Sequence, residues 1–377
     1  MNISATRLKK IGFDKLISLA SGCFQTSNLS GICIFLSLIF IVPPACAGIA
    51  NSSLCLPSEG TYWFGVHPPI RYHQTEMEVT RHSISSFADS AGITPAIITF
   101  SHEWGSNRSF PHTQLKDIHT YGSTPWVRLM LRSDNRQNKP EPIFTLNRII
   151  TGTYDKDFRS WAHHAQQLGY PIIIEYGTEV NGKWFSWNGY WTGNAQGPLK
   201  FKEAYRHIIR IMKDEGADNL IWVYHVNWHN NPEEPWNTAK AYYPGDEYID
   251  LFAISAYGAL SPDATNIRSF SDMIDEMYLE LTEINPDMPI IVAETGTDIR
   301  SRESYPISWT RDAFSSLVNG KWPQIIGIIW WNSAWPNDKN PDHNTSMRIE
   351  EDKGMAELFR MTVGADERFL NQTLTGC

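Results

Sequence analysis

Two carboxylates at the ends of apolar runs are the residues in this chain best placed to do chemistry. Glu179 follows Pro-Ile-Ile-Ile-Glu-Tyr-Gly-Thr and is joined directly by Asn181, Gly182 and Trp184, while Glu294 follows Pro-Ile-Ile-Val-Ala. A carboxyl pair suits acid–base and nucleophilic work on a glycosidic bond, an amide holds sugar hydroxyls, and an indole stacks on the apolar face of a pyranose. His102, His225, Asn227 and Trp228 also stand where apolar runs give way to polar residues, and are candidates to line the same cleft. Each of them read singly has an ordinary structural role open to it. No His, Asp or Glu set has the spacing of metal ligands, so neither a metal nor another cofactor is expected.

The elements that must position these groups are legible as a repeated alternation. Ile172, Ile173 and Ile174 form a continuous β-branched run, the pattern of a parallel strand covered on both faces. Similar short runs at 62–66, 96–101, 126–131, 220–226, 249–256, 289–293 and 325–329 read as strands, and 75–91, 158–168, 201–215, 270–284, 309–318 and 355–361 as helices. About eight strand and helix alternations, with polar or aromatic residues at nearly every strand end, predict a single (β/α)8 barrel. A doubly wound open sheet is the alternative. It calls for a glycine-rich phosphate loop after the first strand, and Phe64-Gly65-Val66-His67-Pro68 is not one. In a closed barrel the fourth and seventh strands face each other across the mouth, so Glu179 and Glu294 converge.

The ends and the composition bound the surroundings. An apolar run at 31–42 is preceded by Arg7, Lys9, Lys10 and Lys15 and followed by Ala45-Cys46-Ala47. This predicts a signal peptide over 1–47, with an uncleaved anchor as the alternative, and a secreted or periplasmic domain over 48–377. A formal net charge of −9 is unsuited to nucleic acid or an anionic membrane and favours a neutral polymer as partner. The protein is expected to act as a monomer. Many of the 15 Trp sit among Asn, Gly and Pro, which suggests a stacking surface in addition to buried rings. Of five cysteines, Cys23, Cys33 and Cys46 fall in the leader, and Cys55 and Cys377 are expected to form a disulfide in an oxidising compartment.

The stretch Glu179-Val180-Asn181-Gly182-Lys183-Trp184-Phe185 resembles the acid/base motif of glycoside hydrolase family 26, best known for β-mannanases. The resemblance covers most of residues 60–360. Val292-Ala293-Glu294-Thr295-Gly296 resembles the nucleophile strand, Ser255-Ala256-Tyr257 the strand whose Tyr bonds that nucleophile, and Ile329-Trp330 the strand whose Trp floors a sugar subsite. It implies Glu179 as acid/base, Glu294 as a nucleophile kept ionised by Tyr257, and Trp184, Tyr257, Trp330, Asn181 and His102 around a β-linked polysaccharide cleaved by double displacement. A mannan-like polymer is the substrate that follows. The family's mannanases usually carry His before the acid/base, Arg four positions before it and Arg after the strand-eight Trp, where this chain has Thr178, Glu175 and Trp331. These departures keep open a β-xylan, a β-glucan or an exported exopolysaccharide. A silent polysaccharide-binding barrel is a third reading, against which the retention of both Glu179 and Glu294 speaks. Glu175 is expected to lie deep in the barrel, paired with Arg128 or Arg132.

Overall fold

The computed structural model describes residue 54 and residues 56–68, 75–265, 267–302 and 305–371. The leader at 1–47 and both members of the expected Cys55–Cys377 pair lie outside the described residues.

Eight strands, β1 (Tyr62–His67), β2 (Ile97–Glu103), β3 (Thr124–Met130), β4 (Ile172–Tyr176), β5 (Leu220–Asn227), β6 (Leu251–Tyr257), β7 (Ile290–Gly296) and β8 (Ile325–Trp331), follow one another around one parallel sheet. β8 returns to β1, pairing Trp63 with Gly327 and His67 with Trp331, so the sheet is a closed barrel with helices between its strands, a single (β/α)8 fold. Both faces of these strands are buried, which is why their sequences run apolar without alternating. One inward residue from each strand, Trp63, Ile97, Trp126, Ile173, Ile221, Leu251, Ile291 and Ile329, packs the barrel interior. The opposite face, including Phe64, Phe100, Val127, Ile174, Ile254 and Ile328, packs against the helices.

The helix Gly197–Asp214 shows how the outer layer is held. Phe201, Ala204, Tyr205, Ile208, Ile209 and Met212 recur at helical spacing and are buried, and the Tyr205 hydroxyl donates to the Val223 carbonyl of β5 at 2.7 Å. The first helix is shorter than the expected 75–91. It begins at Arg81, where the Thr80 and Ser83 side chains and backbone amides form a reciprocal capping box. Residues 75–79 form a turn instead, which leaves Glu76 free to reach the barrel mouth. The helix His112–Tyr121 was not legible, since only Leu115 and Ile118 anchor it, and the β5–β6 crossover holds only two short turns, Ala239–Tyr242 and Asp246–Tyr248.

Side chains alternate along a strand with a period of two, so the interior layer fixes which residues point inward further up. In seven strands the alternation leads to His67, Ser101, Arg128, Glu175, His225, Ser255 and Trp331. The eighth, β7, breaks phase. Its pairing with β6 steps from Ile254↔Val292 to Ser255↔Glu294, and with β8 from Val292↔Ile328 to Thr295↔Trp330, so β7 carries one extra residue. This bulge lets both Ala293 and Glu294 face the barrel interior, whereas strict alternation after Ile291 and Ala293 would turn Glu294 out to the helices.

Candidate active site

The turn after β4 presents Glu179. Gly177 has φ +77°, and a Cβ there would fall 2.3 Å from the Phe201 ring, so the backbone turns sharply where only glycine fits. Glu179 itself sits at φ +48°, a conformation uncommon for a residue with a side chain and one that concentrates at functional sites. Surrounding bonds hold the turn in place. Trp187 Nε1 donates to the Thr178 carbonyl at 3.0 Å, the Asn188 side chain donates to the Val180 carbonyl at 2.8 Å, and the Val180 amide donates to the His225 carbonyl at 3.2 Å. Trp184 Nε1 donates to Glu179 Oε2 at 2.5 Å. Its ring lies over Gly182, where a Cβ would come within 2.3 Å of the indole.

Glu294 faces it from β7. Tyr257 Oη donates to Glu294 Oε2 at 2.8 Å, and Arg128 Nη2 lies 3.1 Å from Oε1. The same guanidinium reaches Glu76 at 2.8 Å and Glu175 at 3.4 Å, so one cation serves three carboxylates. Glu175 also accepts from Thr178 Oγ1 at 3.0 Å and contacts His225 Nδ1 at 2.6 Å, and His225 Nε2 meets Ser255 Oγ at 2.8 Å. Burial raises Glu175, but His225 and Arg128 outweigh it and hold this carboxyl below its ordinary range. Burial alone would lower His225, but Glu175 holds it above its ordinary value. Glu76 is held down to about 2 despite desolvation, chiefly by Arg128 and Arg132.

Glu294 differs. Desolvation pushes it up to about 7; Arg128 opposes the rise and the Glu179 carboxyl adds to it. The expected Tyr257 donation is present, and burial beside the Glu179 carboxyl works against the ionised form that it favours. Donor atoms of Glu175, His225 and Glu294 lie within 4.8 Å of one another, a set of metal-ligand types. The demand for positive charge among them is met by Arg128.

Several sequence-predicted cleft residues stand elsewhere. His102 follows the outward phase of β2 and is buried, accepting from Trp161 Nε1 at 3.3 Å, and desolvation pushes it down to about 4. It belongs to the layer between barrel and helices. Trp330 is likewise outward on β8, 1% exposed, edge-on to Phe359 and donating to the Met347 carbonyl at 2.9 Å, so no face of its ring is free for a sugar. The inward position belongs to Trp331. Its ring stacks on His67 with centroids 3.8 Å apart and lies under the Arg128 guanidinium at 4.8 Å. Asn181 is fully buried and spent on the protein. Its amide donates to the Asn227 carbonyl at 2.9 Å and Asn230 Oδ1 at 2.8 Å and accepts from the Asn227 amide at 2.7 Å, clamping the β4 turn to the end of β5.

The geometry adds His67, Glu76, Ser101 and Arg128 to the site. His67 Nδ1 meets Ser333 Oγ at 3.0 Å, while Nε2 is buried with no hydrogen-bond partner among the described residues. Desolvation pushes this imidazole down to about 3, so it stands neutral in the barrel mouth. It lies four residues on from the inward Trp63, a phase that the uniformly buried strand does not show in sequence.

Comparison with known proteins agrees with this arrangement. Residues 138–319, which span both Glu179 and Glu294, match Glycosyl hydrolase family 26. Endoglucanase H of Acetivibrio thermocellus is 26% identical over 220 residues, covering 58% of this chain and 23% of that protein. Mannan endo-1,4-beta-mannosidase of Bacillus subtilis is 27% identical over 173 residues, covering 45% of this chain and 41% of that protein. The matches thus span less than half the length of these relatives. A GH26 β-mannanase from Bacteroides ovatus superposes with a TM-score of 0.59 at 16% identity, over 84% of this chain and 93% of that one. Bacillus subtilis mannanase man26 gives 0.55 at 17% identity, over 84% and 88%. Over residues 138–319 the chain is thus similar to glycosyl hydrolase family 26, and its closed barrel has the fold of the solved β-mannanases.

Proposed function

We propose that the protein is an exported retaining endo-β-glycosidase that cleaves a mannan-like polysaccharide by double displacement. Glu294 attacks the anomeric carbon while Glu179 protonates the leaving oxygen, and Glu179 then activates water to release the glycosyl-enzyme. The observation that carries this reading is the pair itself. Glu179 and Glu294 meet in one barrel mouth, each held by a ring donor of its own, Trp184 Nε1 and Tyr257 Oη. Arg128 supplies positive charge to Glu294, which favours the ionised form that attack requires. Trp331 and His67 Nε2, which has no hydrogen-bond partner among the described residues, offer a ring and a polar nitrogen at the same level.

A second substrate class is favoured by one specific observation. Thr178, which stands where the mannanase motif has His, turns its hydroxyl back onto Glu175 at 3.0 Å instead of toward the mouth. Loss of that imidazole points to a β-linked polymer whose sugar differs from mannose in the contact it needs there. Release of reducing ends from purified mannan, xylan, β-glucan and bacterial exopolysaccharide tests both readings. Activity on mannan supports the first, activity on another polymer alone supports the second, and absence of release from all of them rejects the reaction.

Export rests on the apolar run at 31–42 and its Ala-Cys-Ala end. N-terminal sequencing of the mature protein tests it, with Gly48 expected as the first residue. Titration of the denatured, unreduced protein tests the Cys55–Cys377 pair, and two free thiols would exclude it.

A further inference from the structure

Beside the catalytic mouth, the loops after β3 and β4 enclose a cavity of about 390 Å³ that the bond-cleaving chemistry does not use. Phe144, Trp187 and Trp191 form its aromatic lining, Tyr176 lies at its floor, and Glu141 and Lys200 stand on its rim. Such a lining, flat rings with a few polar groups, is the composition that binds a pyranose.

Two features show a built site. Tyr176 is 2% exposed, on the outward face of β4 and stacked on Phe201, with ring centroids 5.7 Å apart. Tyr176 lines the cavity and its hydroxyl makes no hydrogen bond to the described residues, with Glu141 close enough to act on it electrostatically. A phenol on the wall of an aromatic cavity with no protein partner is placed to bond a ligand hydroxyl. The rings are also fixed in advance. Trp187 stacks on Phe185 at 4.5 Å and is tied to the Thr178 carbonyl, and Trp191 Nε1 donates to the Lys183 carbonyl at 2.6 Å. With their nitrogens engaged, these indoles are held on the loop that carries Glu179. Tyr190, next in chain and 50% exposed, lies edge-on to Trp191 and extends the aromatic surface outward.

We propose that this cavity is a second glycan-binding site, which takes one pyranose unit of the polysaccharide with a hydroxyl on Tyr176. The proposal rests on the polysaccharide reading of the catalytic mouth, deepening it by giving the polymer a hold next to the acid/base loop. Charge near the cavity is balanced, with Glu141 spent on the Ser133, Ile143 and Phe144 amides and Lys200 on the Thr192 carbonyl, so an uncharged sugar suits it better than an acidic one.

The test uses the Glu294→Gln protein, which retains ligands without turning them over, and hexasaccharides of β-1,4-linked mannose, glucose and xylose as probes. Tryptophan fluorescence and calorimetry measure binding to this protein and to versions that also carry Trp191→Ala or Tyr176→Phe. At least one probe is expected to bind about tenfold more weakly with Trp191→Ala and several-fold more weakly with Tyr176→Phe. Equal affinity in all three proteins, or no binding of any probe, overturns the proposal. Reducing-end release by the unaltered protein is followed in parallel. Release from a polymer together with unchanged hexasaccharide affinity in the variants would leave the catalytic reading standing and this one refuted.

Discussion

The Arg128 guanidinium lies 3.1 Å from Glu294 and 2.8 Å from Glu76, so the cation beside the proposed nucleophile is shared with a carboxylate from the loop after β1. The sharing bears on when Glu294 can attack. Desolvation brings Glu294 to about 7, with Arg128 the largest influence pulling it down. On the proposed mechanism attack needs the ionised carboxyl, so kcat/KM is expected to rise with pH through about this value in the unaltered protein.

Replacing Arg128 by Lys leaves one ammonium to serve groups that a planar fork now spans. Glu294 then climbs further, and the acid limb of kcat/KM moves to higher pH by about one unit, a roughly tenfold loss on that limb. A pH profile on an aryl glycoside measures this. An acid limb that stays in place would show that Arg128 only packs.

Stability carries the same signature with the sign reversed from a typical salt-bridged carboxylate. Glu294 ionises near 7 in the fold and near 4.5 in an unfolded chain, so its neutral form stabilises fully below about 4.5, and that stability is lost as pH rises through about 7. Glu294→Gln removes the cost of the buried charge. The variant is expected to melt higher than the unaltered protein at pH 8, by on the order of 1 to 3 kcal/mol, with the difference closing toward pH 5. Calorimetric melting at both pH values checks it, and a variant equally stable or less stable at pH 8 would contradict it.

The alternation of strands and helices was legible because each barrel strand is a short apolar run ending in polar residues. The phase of those strands was not. A strand buried on both faces has no alternation to count from, so neither Trp330 nor Trp331 announces itself as the inward ring, and His102 looks as well placed as Ser101. The β7 bulge is hidden for the same reason. Ile290 to Ala293 is apolar throughout, and nothing in it marks the extra residue that turns Glu294 inward. Glu175 met expectation in its pairing with Arg128, yet its closer partner is His225, fifty residues on. Glu76 was assigned to a helix, and the Thr80 cap that releases it is a signal the sequence does carry.

Trp184 tests the hold on the acid/base. Its Nε1 is the donor to Glu179, so Trp184→Phe keeps a ring over Gly182 while removing that bond. Hydrolysis of a polymer, whose leaving group needs its proton, is expected to fall about tenfold to a hundredfold. An aryl glycoside with a good leaving group should lose much less in its first step. Burst kinetics separate the two steps, and an equal loss on both substrates would assign Trp184 to sugar stacking instead.

Glu175 provides the sharpest test of the buried network. It is 1% exposed, and it is the common partner of Arg128 and His225 at the position where the mannanase motif has Arg. Glu175→Gln keeps the shape but leaves the buried Arg128 guanidinium facing fewer negative charges and takes from His225 the carboxylate that holds it up against burial. Breaking a buried pair from one side costs about 3 to 5 kcal/mol, far more than the pair is worth against an apolar replacement, because the remaining charge stays buried. Glu175→Arg, which carries the residue the mannanase motif usually has, should do worse here, since it places a second guanidinium beside Arg128. Adding His225→Gln to Glu175→Gln removes the buried imidazole left without its carboxylate partner, so the double variant should recover part of the loss. Urea unfolding of the three variants measures these differences at neutral pH. If Glu175→Arg proved as stable as the unaltered protein, Arg128 would not depend on Glu175 for its neutralisation, and the network described here would be wrong.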